Sequence, residues 1–146
     1  MTVTEFLKTL VPFLSGITDE QAQFLAKAVE QITYNTGHTV IFRGSTVDGL
    51  HVLASGQVSV QAKVGKEVHQ VASLGPGDVF GEISIIEGVV AGATIKAAED
   101  GTLIFMIPQE AFLKVLRSDP ALEARVKAVI DERKKSLEAT KGPKKA

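Results

Sequence analysis

The sequence predicts an α+β domain, an antiparallel β-roll or jelly-roll barrel flanked by N-terminal and C-terminal helices. Three observations carry this reading. Apolar residues recur at helical spacing near both ends of the chain. Between them, short runs rich in β-branched residues have the length of strands. Eleven of the 13 glycines fall between Gly37 and Gly101, as many short strands joined by tight turns require.

The elements follow in order. "TEFLKTL" puts Phe6, Leu7 and Leu10 on one helical face. "TDEQAQFLAKAVEQI" opens with a cap, Thr18 or Asp19, and with early acids that suit a helix N-terminus. Its apolar positions Phe24, Leu25, Ala28, Val29 and Ile32 keep helical spacing, so the helical segment is expected over residues 1–33. The β-roll is expected over residues 34–107, with strands in "HTVIF", "LHVLASGQVSVQA", "KEVHQVASL", "DVF", "ATIKA" and "GTLIFMI". Val58, Val60 and Ala62 alternate with Ser59 and Gln61, the pattern of a strand with one wet face. "KVGKE" reads as a hairpin turn.

Helices return over residues 108–138. Pro108 suits a first helical position, followed by the stripe Ala111, Phe112, Val115 and Leu116. Asp119 is placed to cap the next helix, with Pro120 at its first position. That helix presents Leu122, Val126, Val129 and Ile130, with Leu137 further on. Arg133 and Ser136 interrupt a strict heptad, which disfavours a long coiled coil. "DERKK" and the terminal lysines read as a solvated face and tail. The organisation is thus one domain over residues 1–138 and a flexible tail over 139–146.

Composition excludes several function classes. With 146 residues, 45% hydrophobic and 23% charged, the chain has the profile of a soluble globular domain with a moderate core. Cysteine is absent, which removes disulfides and thiolate zinc sites and fits a reducing compartment. No basic start precedes a long apolar run, and no segment is long enough to cross a bilayer. A cytoplasmic protein without membrane contact is therefore expected. A net charge of −1 argues against a general nucleic-acid-binding surface. His38, His51 and His69 lack metal-ligand spacing, so a cupin-type metal barrel is not expected. No G-x-S-x-G or similar nucleophile motif occurs, and no enzyme is expected.

The informative stretch is "LGPGDVFGEISIIEGVVAGATIKA", Leu74 to Ala97. "PGD" makes a tight turn, and Gly81 allows close backbone approach to a ligand. "EISII" is long enough for about one helical turn, whose leading N–H groups favour an anion. The carboxylate of Glu82 is an acceptor only, so it suits a sugar hydroxyl. Plainer explanations stand beside these. Gly75, Gly77 and Gly81 serve turn geometry in any such roll, Glu82 suits a helix dipole, and Ser84 and Thr94 commonly bond nearby backbone.

This stretch, with "VPFLSGITDEQAQFLAKAVEQITYNTGHTVIFRG" and "GLHVLASGQVSV", resembles the cyclic nucleotide-binding domain family, over roughly Leu10 to Ile130. The resemblance implies a sensor domain of the cAMP-receptor type that binds cyclic AMP (cAMP) or cyclic GMP (cGMP). It implies that Glu82 meets the ribose hydroxyl and that Gly81, Ile83 and Ser84 present backbone groups. It places Ala91, Gly92, Ala93 and Thr94 along the rest of the phosphate-binding cassette. The C-terminal helices then act as a lid and relay to a partner.

The chain departs from the family pattern at one place. Val90 and Ala91 stand where a Pro-Arg pair is usual, so the arginine that clamps the cyclic phosphate is missing at Ala91. One lost charge-assisted hydrogen bond weakens binding by about one to two powers of ten. From Glu67 through Ile95 there is no Lys or Arg at all. Either helix N–H groups carry the phosphate almost alone, or a basic residue arrives from elsewhere, with Arg43, Lys63 and Lys96 as candidate donors. The chain ends too soon after its last helix for a helix-turn-helix domain, so direct DNA binding is not expected. Output is expected through a partner protein or self-association. The alternative is a protein-interaction module that keeps the fold and binds no nucleotide.

Overall fold

A computed structural model describes residues 1–141. Helices α1 (Val3–Thr9) and α2 (Asp19–Ala28), separated by a 3-10 turn over Pro12–Leu14, precede the sheets. Strands β1 (Glu30–Tyr34), β2 (Thr39–Ile41), β3 (Gly49–Ser55), β4 (Val58–Val64), β5 (Glu67–Leu74) and β6 (Val79–Phe80) lead to a short helix, α3 (Glu82–Glu87). β7 (Thr94–Ala97), β8 (Thr102–Pro108), α4 (Gln109–Ser118) and α5 (Pro120–Lys141) follow.

Helix ends depend on local chemistry. Thr18, not Asp19, caps α2: its hydroxyl accepts from Gln21 N at 3.1 Å, and Gln21 Oε1 accepts from Thr18 N at 2.8 Å. This reciprocal pair satisfies two amides that the helix leaves open. α2 ends at Ala28, because Val29 turns extended at ψ 134°. The predicted helix through Ile32 is therefore corrected, and the β-roll begins at Glu30 instead of Tyr34. Ile32 pairs with Ile104 across an antiparallel ladder. β8 offers that stretch backbone partners, and this tertiary pairing overrides helical spacing. Within these stripes Leu7 and Leu25 are buried, while Leu10 and Phe24 are 47% and 39% exposed. Pro108 closes β8, one residue before α4 begins.

The strands form two antiparallel four-stranded sheets, ordered β1-β8-β3-β6 and β2-β7-β4-β5. Their pairing is that of a roll and not of a hydrogen-bonded closed barrel. Strand alternation then divides the core. Leu50 and Val52 of β3 face the helices, with Leu7, Leu14, Leu25, Phe112 and Leu116. Leu53 points the other way, into the space between the sheets with Ile41, Val58, Phe80, Ile95 and Ile104. The predicted wet face of β4 is only partial, since Ser59 is buried between Ser73 of β5 and Lys96 of β7.

The C-terminal helices pack as the stripes predict. Ala111, Phe112, Val115 and Leu116 are all buried, as are Leu122, Val126 and Ile130. Asp119 caps α5, with Oδ1 accepting from Leu122 N at 3.1 Å. Its Oδ2 accepts from Gln21 Nε2 at 3.1 Å, which ties the start of α5 to α2. α5 continues to Lys141, into the stretch predicted as tail. The side chain of Leu137 and residues 142–146 of that tail lie outside the described part. No described helix is long and apolar enough to cross a membrane.

Candidate functional site

A cavity of about 470 Å³ opens between the sheets, beside α3 and under α5. That volume suits a small molecule. Its walls are aliphatic, drawn from Ile41, Val47, Val60, Leu74, Val79 and Ile95. Of the predicted site residues, Gly81, Glu82, Ile83, Ser84, Ala91, Gly92 and Ala93 line it. Thr94 is not among the lining residues. Its hydroxyl accepts a hydrogen bond from Arg43 N at 3.1 Å, so the retained threonine is used to hold the β2 end.

The local backbone explains why the cassette takes this shape. Gly81 precedes α3 with φ +87°, a left-handed conformation that other residues adopt at a cost. A Cβ there would also meet Val47 Cγ1 at 3.0 Å and Gly49 O at 3.2 Å. Gly81 therefore serves geometry and packing at once. Its carbonyl accepts from Ile85 N at 3.3 Å, which leaves the amides of Glu82, Ile83 and Ser84 ahead of the first helical bond. Ser84 uses its carbonyl to end the helix, accepting from Gly88 and from Val89.

Ala91 is buried, and its backbone is anchored at both ends. Its N–H donates to Ser45 O at 2.9 Å, and its carbonyl accepts from Gly44 N at 2.8 Å. The neighbouring Val89 and Val90 are 50% and 55% exposed. The segment in place of the cationic clamp is thus apolar inside and out.

Glu82 is the exceptional group. Its side chain is only 4% exposed, and a charge so buried needs a partner. Arg133 of α5 supplies one, with Nη1 at 2.5 Å from Glu82 Oε1 and donating also to Val79 O at 2.7 Å. Glu82 Oε2 is buried and accepts no hydrogen bond among the described residues. One carboxylate oxygen therefore holds α5, and the other is left without a described donor. Lys134 forms a second link, 2.9 Å from Glu87 Oε2.

These cations are not the candidate donors that the sequence offered. Arg43, Lys63 and Lys96 do not line the cavity, whereas Arg133 and Lys134 do. Both come from "DERKK", predicted as a solvated face. The signal was present: Arg133 follows Leu122, Val126 and Ile130 at helical spacing, on the buried stripe of α5. An arginine on such a stripe calls for an acid opposite.

His51 shapes the floor behind Gly81. It stacks on Phe80 with ring centroids 5.1 Å apart. Its Nδ1 lies 2.9 Å from Gly49 O, and a carbonyl only accepts, so Nδ1 carries the proton. Burial holds the His51 pKa below 6.5, against opposing pulls from the Gly49 carbonyl and the Asp48 charge.

Comparison with known proteins agrees with this geometry. Residues 31–119 match the cyclic nucleotide-binding domain. An uncharacterized NTE family protein of Mycobacterium tuberculosis is 30% identical over 114 residues, 78% of this chain and 19% of that protein. A cAMP-dependent protein kinase regulatory subunit of Schizosaccharomyces pombe is 36% identical over 93 residues, 64% of this chain and 22% of that protein. The chain therefore spans about a fifth of the length of these relatives. The crystal structure of the Thermus thermophilus catabolite activator protein superposes with a TM-score of 0.74 at 25% identity, covering 88% of this chain and 61% of that one. With the roll, the left-handed glycine and the buried acid in place, the chain belongs to the cyclic nucleotide-binding domain family.

Proposed function

We propose that this domain is a regulatory sensor that binds a cyclic nucleotide, cAMP or cGMP, and relays occupancy through α4 and α5 to a partner. The observation that carries the reading is Glu82 Oε2, a buried acceptor without a donor among the described residues, on a side chain that lines a cavity of suitable size. A ribose hydroxyl supplies the missing donor, and the aliphatic walls take the base. A buried acceptor left alone costs roughly 1–3 kcal/mol, which a bound hydroxyl recovers.

The relay follows from the other oxygen. Glu82 meets the ligand through Oε2 and α5 through Oε1, so ligand and helix share one side chain. A ligand shifts α5 only if it binds two helix arrangements with different affinity. The partner then reads the surface of α4 and α5, and a partner protein or a second copy fits this role equally.

Isothermal calorimetry with cAMP and cGMP tests the reading. Saturable heat below millimolar ligand is expected, and its absence for both nucleotides sinks it. Ala91 favours a second reading, an interaction module that keeps the fold without a nucleotide. Under that reading Ala91→Arg brings no binding, whereas an intact pocket gains affinity from the added guanidinium.

A further inference from the structure

We infer that Arg133 takes over the anion-binding role for which Ala91 has no side chain, so that the lid helix itself carries the phosphate-binding cation. This inference rests on the cyclic nucleotide reading given above. Arg133 is the only arginine among the described residues lining the cavity, and the cassette from Glu67 to Ile95 contributes no Lys or Arg. An anionic ligand in this cavity meets Glu82 as an uncompensated repulsion unless a cation stands beside it.

The geometry leaves Arg133 the capacity for this. A guanidinium carries donors on three nitrogens. Among the described residues, the hydrogen bonds of Arg133 go through Nη1 alone, to Glu82 Oε1 and Val79 O. Nη2 and Nε therefore keep donors for a ligand while Nη1 stays in place. Among the described residues, Glu82 Oε2 on the same ion pair is a buried acceptor without a donor. Acceptor and donors side by side match a ligand with a hydroxyl next to an anionic oxygen, as in the ribose and phosphate of a cyclic nucleotide. The site is assembled only while α5 is docked. A cation on α5, unlike one in the cassette, makes anion recognition and helix position one event.

The consequence is a specificity test using cAMP and adenosine, which share the base and the 2′-hydroxyl but differ in charge. Dissociation constants would be read by chemical-shift titration, which reaches millimolar values, on the full chain. Arg133→Gln keeps an amide that can donate to Glu82 but removes the charge. It is expected to weaken cAMP by about ten- to a hundredfold and to bring the ratio of the cAMP and adenosine constants towards one. Arg133→Lys, which keeps the charge, is expected to fall between wild type and Arg133→Gln. Equal loss of both ligands in Arg133→Gln would assign Arg133 a merely structural role and overturn the inference. Identical cAMP constants for the Lys and Gln variants would also overturn it. Wild type that binds cAMP, with Arg133→Gln binding it equally well, leaves the sensor reading standing and removes only this inference. Wild type that binds neither ligand removes both.

Discussion

Arg133 of α5 and Glu82 of α3 are 51 residues apart in sequence, yet their charged groups meet at 2.5 Å under the C-terminal helix. The pair joins α3 to α5. Glu82 is almost fully buried, while the Arg133 side chain is 32% exposed. Most of the desolvation therefore falls on the acid.

Removing the arginine leaves a buried carboxylate without its partner. Arg133→Ala is expected to lower stability by about 2–4 kcal/mol, below the top of the range for a fully buried pair because the arginine is partly wet. Glu82→Gln alone should cost less, since its amide needs no counter-charge. Denaturant unfolding of both single variants and the double variant checks this. A coupling energy above about 0.5 kcal/mol is expected for groups in contact.

Gly81→Ala combines a left-handed backbone with a close contact to Val47 and the Gly49 carbonyl. The expected destabilisation is about 1–3 kcal/mol. It should also shift the α3 amides, seen as chemical-shift changes at Glu82, Ile83 and Ser84. Gly88 is left-handed too, but a Cβ there meets nothing within 4 Å. Gly88→Ala is therefore expected to cost less.

His51 makes stability depend on pH. Burial lowers its pKa in the folded state below 6.5, so below that pH the unfolded chain binds a proton that the folded one resists. Stability is expected to fall as pH drops from about 6.5 towards the folded-state pKa, and to be level in this respect above 6.5. His51→Gln should flatten the slope in that window. Thermal unfolding at closely spaced pH values between 5 and 7.5 measures it.

Asp119 ties the start of α5 to α2 through Leu122 N and Gln21. The Gln21 side-chain bond, then the Leu122 amide, holds its pKa below the usual carboxylate value. Asp119→Ala should raise amide exchange in the first turn of α5 while β3 exchange stays as in wild type. In wild type the same loosening is expected only in acid, as pH falls through the lowered pKa.

Much of the architecture was legible in the residue order. The glycine-punctuated β-branched runs, the stripe Ala111, Phe112, Val115 and Leu116, and the Asp119-Pro120 helix start are local signals, each complete within one turn or one strand. Glu82 and the absence of Lys and Arg from Glu67 to Ile95 were equally plain. The first strand was not, because Ile32 continues the helical spacing of Leu25, Ala28 and Val29, while β-branched Ile32 and Thr33 suit a strand equally. Only the ladder to β8 decides between them.

The residue order by itself thus determined the fold class, the position of the cassette and the gap in its charge. Tertiary structure alone decided which cation meets Glu82. Arg133 lies in a basic run, and its place after Leu122, Val126 and Ile130 marks it for the buried stripe, but nothing near it in sequence says which acid it meets. A buried ion pair depends on which surfaces the packed helices bring together, and that is a property of the whole fold.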